Sequence, residues 1–212
     1  MSLNQLHGLD IQHQLSHALA GQPVPDPHTQ AWDIPAAYDR ELALPTSIKT
    51  VNCRGIPARA TVGMSDARRM FSIAHPFRLL VAPYRQSPQT KVVDQVFEFL
   101  IDPSEMDRLC GSLTYEEVTA FHEGLLGFEP GQHAQGRQWA QAHKRELLSD
   151  RASSFILNPK IGNADNARRL QCSIRLGTLM DQVAQWRVHQ GHFYGLPLPL
   201  VLGSTARQFT GV

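Results

Sequence analysis

Long apolar runs are missing from this chain. No window approaches the roughly 18 uninterrupted apolar residues that a membrane helix needs, so the sequence predicts no membrane span and no membrane partner. The opening MSLNQLHGLDIQHQLSHALAG has neither a basic start nor an unbroken apolar stretch and does not read as a signal peptide. Cysteine is scarce: Cys53, Cys110 and Cys172 are odd in number and widely spaced, which fits reduced thiols and a cytoplasmic location rather than a disulfide framework. With 15 Gly and 14 Pro in 212 residues, a collagenous class is excluded. Lysine is rare, 4 against 16 arginines, a bias expected of a GC-rich, bacterium-like genome.

The common catalytic signatures are also missing. There is no Walker A sequence, no GxGxxG, no CxxC and no GxSxG. His122-Glu123 opens like a zinc-protease motif, but Leu126 stands where the second histidine is required. Metal-dependent nuclease sites need clustered carboxylates with a lysine. Asp94, Glu98, Asp102 and Glu105 supply carboxylates, yet none has a lysine two residues on, and their spacing suits a solvated face if the segment is helical. Asp10, His13 and His17 share one side of a first helix, opposite its apolar face, and read as solvated polar residues rather than a metal site. His189 and His192 have no cysteine partner at zinc-finger spacing. Cys110 lies among carboxylates that raise a thiol pKa, so it is read as structural. Arg69 and His75 echo the spacing of some helical ribonucleases, but Pro76 breaks the helix such a site would need. No cofactor, no metal and no enzymatic activity are expected.

What is present is a chain able to build a core: 42% hydrophobic, with a formal net charge of +1. A helix is predicted over residues 3–20, with Ile11, Leu15, Ala18 and Leu19 on one face and Gly21 as its stop. Pro23, Pro25, Pro27, Pro35 and Pro45 make the next stretch an extended strap. Ile48, Val51, Ile56 and Val62 lie in strand-forming runs broken at Gly55, as two strands or a hairpin. Ser65 and Asp66 cap a short helix that Pro76 ends. Residues 78–82 and 92–101 are buried-strand candidates, the second also readable as a helix. Asp102-Pro103 starts a helix, Thr114 and Glu117 have capping-box spacing, and residues 137–149 continue the helical half. Residues 164–189 are read as one long helix carrying the stripe Leu176, Leu179, Met180, Val183. The Pro-broken tail is an edge strand or packed strap.

The fold class that follows is α+β. A small mixed or antiparallel sheet, from residues ~47–101 plus a C-terminal strand, packs against helices from the second half of the chain. Residues 1–46 form an N-terminal helix and Pro-rich strap, and residues 47–212 a single globular domain.

Charge is segregated along the chain. Residues 1–48 carry a net −4, residues 49–91 a net +7, residues 92–129 a net −8 and residues 130–212 a net +6. Basic segments attract polyanions because phosphate neutralisation releases condensed counterions. Phe77-Arg78 and Tyr84-Arg85 repeat an aromatic beside an arginine, the pairing that stacks a base while holding its phosphate. Arg168, Arg169 and Arg175 add a basic edge on the expected long helix. The function expected is therefore a non-enzymatic accessory protein. It would bind nucleic acid, RNA or single-stranded DNA, through Arg54, Arg59, Arg68, Arg69, Phe77, Arg78, Tyr84, Arg85, Arg168, Arg169 and Arg175. The alternative is a protein–protein adaptor, homo-oligomeric or a complex subunit, docking through the first helix, the strap and the acidic segment 92–129.

Overall fold

The computed structural model describes residues 3–24, 32–87, 90–162 and 168–203. Among them the chain forms an α+β fold of helices packed against mostly antiparallel sheets, in the order α1 (Leu3–Ala20), β1 (Thr46–Asn52), β2 (Thr61–Asp66), α2 (Ala67–Phe71), β3 (Phe77–Gln86), β4 (Thr90–Val93), β5 (Gln95–Ile101), α3 (Pro103–Cys110), α4 (Tyr115–Leu126), α5 (His133–Leu147), β6 (Ile156–Lys160), β7 (Arg169–Arg175), α6 (Leu176–Gln182), β8 (Gln185–Gln190), β9 (His192–Phe193), β10 (Leu196–Pro197) and β11 (Leu200–Gly203). These elements fall into two compact units. One takes the described residues within Met1–Ala60, Pro76–Leu100 and Gln185–Val212, and the other those within Thr61–His75 and Ile101–Ala184. Part of the expected strap, residues 25–31, lies outside the described residues.

The first unit is built on a six-stranded sheet ordered β11-β4-β3-β5-β8, with β1 added parallel to β3. Strand β3 reads FRLLVAPYRQ, an almost unbroken apolar run that is buried from Phe77 to Pro83, as a strand covered on both faces must be. Helix α1 supplies one cover. Its Ile11, Leu15 and Leu19 are buried in one cluster with Ile34, Ile48, Leu80, Val93, Val96 and Phe193. The i, i+4, i+8 spacing of the helix residues is what places all three on that cluster.

The second unit joins α2 to α6 with a three-stranded antiparallel sheet, β2-β7-β6. Alternation on β7 buries Leu170, Cys172 and Ile174 against α4, whose Val118, Phe121 and Leu125 are buried in turn. Two capping boxes fix the helix starts. Asp102 accepts from the Glu105 N–H while Glu105 reaches back to the Asp102 N–H, and Thr114 and Glu117 do the same. Asp66 caps α2 by accepting from the N–H groups of Arg68 and Arg69.

One sequence expectation changes, and two alternatives that the sequence left open are decided. Residues 164–189 are not one helix: residues 163–167 lie outside the described residues, and then come β7, the short α6 and β8. The apolar stripe was read at helical period, but it spans only α6, and the residues before it alternate at period two. Strands β1 and β2 both form but make no hairpin, since β1 pairs with β3 and β2 with β7. Residues 90–101 are strands β4 and β5 interrupted at Asp94, so their acidic residues do not share a helical face.

Candidate functional site

The eleven residues expected to contact nucleic acid are divided between the two units. Arg54, Arg59, Phe77, Arg78, Tyr84 and Arg85 belong to the first unit, and Arg68, Arg69, Arg168, Arg169 and Arg175 to the second. Two have no surface to offer. Phe77 is buried with its ring 5.3 Å from that of Trp32, and Arg78 is fully buried. Local composition was read as a basic surface, but an arginine beside Leu79 and Leu80 on a doubly covered strand points inward. Tyr84 is half-buried, with the Lys91 ammonium 4.4 Å over its ring. Arg85 is exposed but holds Asp94 in a bidentate pair at 2.9 Å. Arg68 is half-buried beside Asp66, and half-buried Arg168 donates to the Phe128 carbonyl and precedes β7 rather than lying on a helix. Arg54, Arg59, Arg69, Arg169 and Arg175 are exposed.

Arg78 is instead the centre of a buried charge network. Its nitrogens lie 3.4 Å from Asp39, 3.1 Å from Glu41 and 3.2 Å from Glu98. Glu98 is also held by Arg187, at 2.9 and 3.2 Å, and by His189 at 2.6 Å. Burial works against the ionised carboxyl, but His189, Arg187 and Arg78 outweigh it and hold the Glu98 pKa down at about 2. Tyr194 donates to Glu41, and burial raises its phenol well above the ordinary range. A hollow of about 240 Å³, lined by Glu41, Leu42, Leu100, Trp186 and Arg187, opens beside this network. Sequence reading treated Glu98 as solvated and missed the network, whose partners come from segments up to 153 residues apart.

A second arrangement brings a carboxylate and a lysine together. A single antiparallel bridge pairs Ile34 with Thr46, folding the chain back so that Asp33 meets the start of β1. Asp33 Oδ2 accepts the Ile48 N–H at 2.6 Å and the Ser47 hydroxyl at 3.1 Å, and lies 3.8 Å from Lys49 Nζ. Gln12, on α1, donates to the Ile48 carbonyl at 2.9 Å. Asp33, the polar side of α1 with Gln12, His13, Ser16 and His17, and the apolar Pro23 and Val24 line a hollow of about 330 Å³. Asp33 and Lys49 are both mostly buried, with side chains 17% and 19% exposed, so their attraction is screened less than at a free surface. The search for a lysine two residues after a carboxylate could not find this pair. Ser47 stands two before Lys49, and the carboxylate arrives from Asp33 through space.

The remaining candidates are structural or solvated. Burial and Asp107 push the Cys110 thiol up to about 12. His122 is buried and accepts the Leu170 N–H at its Nδ1. Among the described residues no three His, Cys, Asp or Glu side chains are grouped as a metal site, and no helix is long and apolar enough to cross a membrane. No family model, no curated protein and no solved structure matches the chain.

Proposed function

We propose that the protein binds nucleic acid and hydrolyses a phosphodiester at the Asp33–Lys49 hollow. The observation that carries this reading is that the Asp33 carboxylate, which lines an open hollow, lies 3.8 Å from the Lys49 ammonium. An ammonium neutralises the charge that builds on phosphoryl oxygens. The Asp33 carboxylate would orient the attacking water and, together with the substrate phosphate, would hold a magnesium ion, which would make that water more acidic and neutralise phosphoryl charge. Magnesium is commonly bound by one or two carboxylates plus phosphate rather than by an all-protein cage. In the step, the water oxygen bonds to phosphorus, the bond to the leaving sugar oxygen breaks, and that oxygen takes up a proton. His13 and His17, exposed on the hollow's rim, are of the residue type that shuttles such protons near neutral pH.

The arginine-rich composition supports a polyanionic substrate, and three free cysteines fit a reducing cytoplasm. The adaptor reading has less to stand on. The apolar face of α1 that it relied on packs into its own unit's core, and Glu98 and Glu105 of the acidic segment are buried.

The test is incubation of end-labelled single- and double-stranded DNA and RNA with the purified protein and magnesium or manganese. Metal-dependent fragments, abolished by EDTA, are expected. Intact substrates of all four kinds with either metal, at protein in excess, would overturn the reading.

A further inference from the structure

The second unit carries a charged sheet face that the hydrolytic hollow does not use. Strands β6 and β7 pair antiparallel with Ile156 opposite Ser173, Asn158 opposite Gln171 and Lys160 opposite Arg169. On the other side of β7, Thr61 stands opposite Arg175 and Gly63 opposite Ser173. Side chains alternate between faces, so Ile156, Asn158, Lys160, Arg169, Gln171, Ser173 and Arg175 share one face, with Ile156 exposed on it, while Leu157, Leu170, Cys172 and Ile174 are buried on the other.

That shared face is cationic. Lys160, Arg169 and Arg175 are exposed, and none forms an ion pair among the described residues. Lys160 and Arg169 are directly opposite one another, a like-charge juxtaposition that costs stability in an isolated sheet. The carboxylate nearest in register, Asp66 opposite Gln171, is turned to cap α2 and sits 3.5 Å from the Arg68 guanidinium. Between the cations lie the exposed Ile156 and hydrogen-bonding groups, Asn158 donating to Ser173 at 2.8 Å, and no aromatic ring.

We infer that this face of the β6–β7 ribbon is a platform for the phosphate backbone of double-stranded DNA, separate from the hydrolytic hollow; the inference rests on the nucleic-acid reading above. The spacing supports it. Arg169 and Arg175 stand six residues apart on one strand, or about 20 Å at the rise of an antiparallel strand. That is about six base-pair steps along a duplex axis at ~3.4 Å each, far enough to reach from one strand's backbone to the other's across a groove. Lys160 sits one strand spacing, ~4.8 Å, from Arg169, so two cations meet the backbone of one DNA strand at one end and a third meets the other strand's backbone across the groove. The absence of aromatics on the face points to backbone contact with a stacked duplex rather than to gripping unstacked bases. The charges specify position on the duplex and carry no base readout.

The test is fluorescence anisotropy of a labelled 25-base-pair duplex in EDTA, where no turnover occurs, over a series of salt concentrations. Lys160→Gln, Arg169→Gln and Arg175→Gln are combined in one variant, with Arg40→Gln plus Arg145→Gln, exposed arginines off this face, as a control. Far-ultraviolet circular dichroism checks that both fold. The triple variant is expected to bind at least tenfold more weakly, with the slope of log affinity against log salt reduced by about 2 to 3, while the control changes less. Wild-type binding that the triple variant reproduces in affinity and slope would overturn the platform and leave the nucleic-acid reading standing. Loss of affinity in the control alone would do the same. Failure of the wild type to bind the duplex at low salt would overturn the platform. Loss of binding and cleavage for every nucleic acid would overturn both.

Discussion

Arg78 on β3 and Glu98 on β5 meet at 3.2 Å with side chains 0% and 2% exposed. A buried charge is tolerated only while its partner remains. Glu98→Gln is therefore expected to destabilise the protein by about 3–5 kcal/mol in urea unfolding. Arg78→Met combined with Glu98→Leu should cost much less than the two single changes added together. Additive losses in the double variant would contradict the paired arrangement.

The same network sets an acid limit. The Glu98 pKa lies at about 2 in the fold against an ordinary 4.5. A carboxyl with a lowered folded pKa contributes its full stability above the ordinary value and loses it as pH falls toward the folded one. Stability should thus fall between about pH 4.5 and 2, by up to about 3 kcal/mol from this group. Asp102 and Glu117, held low by helix-start N–H groups, titrate in the same direction, so Glu98→Gln isolates the buried term. Urea midpoints measured from pH 7 to 3 should fall more steeply for the wild type than for this variant; equal slopes would contradict the assignment.

Gly111 ends α3 with φ +66°, and a Cβ placed there would meet the Ala152 carbonyl oxygen at 2.1 Å. Backbone conformation and space both demand glycine. Gly111→Ala should lower the melting temperature by several degrees, corresponding to about 1–3 kcal/mol. Gly55→Ala, where a Cβ meets nothing within 4 Å, should leave it nearly unchanged. Equal melting temperatures for the two variants would contradict this account of the α3 terminus.

Thiol chemistry offers an independent check. Cys53 and Cys172 are buried, and the Cys110 pKa lies at about 12 through burial and Asp107. Since the thiolate is the reactive form, the native protein should react with an aromatic disulfide reagent at pH 8 far more slowly than the urea-unfolded protein, which should release three equivalents. Rapid native labelling of Cys110 would contradict its placement.

Local signals in the sequence were legible. The Asp102–Glu105 and Thr114–Glu117 boxes, the Asp66 cap and the spacing of Ile11, Leu15 and Leu19 each depend on residues within two or three turns, and each forms as expected. Residues 169–189 misled because Leu176, Leu179, Met180 and Val183 satisfy a helical period that holds for only the two turns of α6. Arg78 misled because its partners Asp39, Glu41 and Glu98 are 39, 37 and 20 residues away, and composition cannot tell a buried ion pair from a basic surface. Asp33 and Lys49 escaped for the same reason: their pairing depends on the Ile34–Thr46 bridge, a feature of the chain's path with no local motif.

The most direct test of the central claim compares cleavage by the wild type, Asp33→Asn and Lys49→Ala on the best nucleic-acid substrate, at saturating protein and in magnesium. Asparagine keeps an acceptor for the Ile48 N–H, but each change leaves a mostly buried partner charge uncompensated, so rates are compared at a temperature where circular dichroism shows both variants folded. Each should lose at least ~100-fold in rate while still binding the substrate. Cleavage at the wild-type rate by either folded variant would contradict the assignment of Asp33 and Lys49.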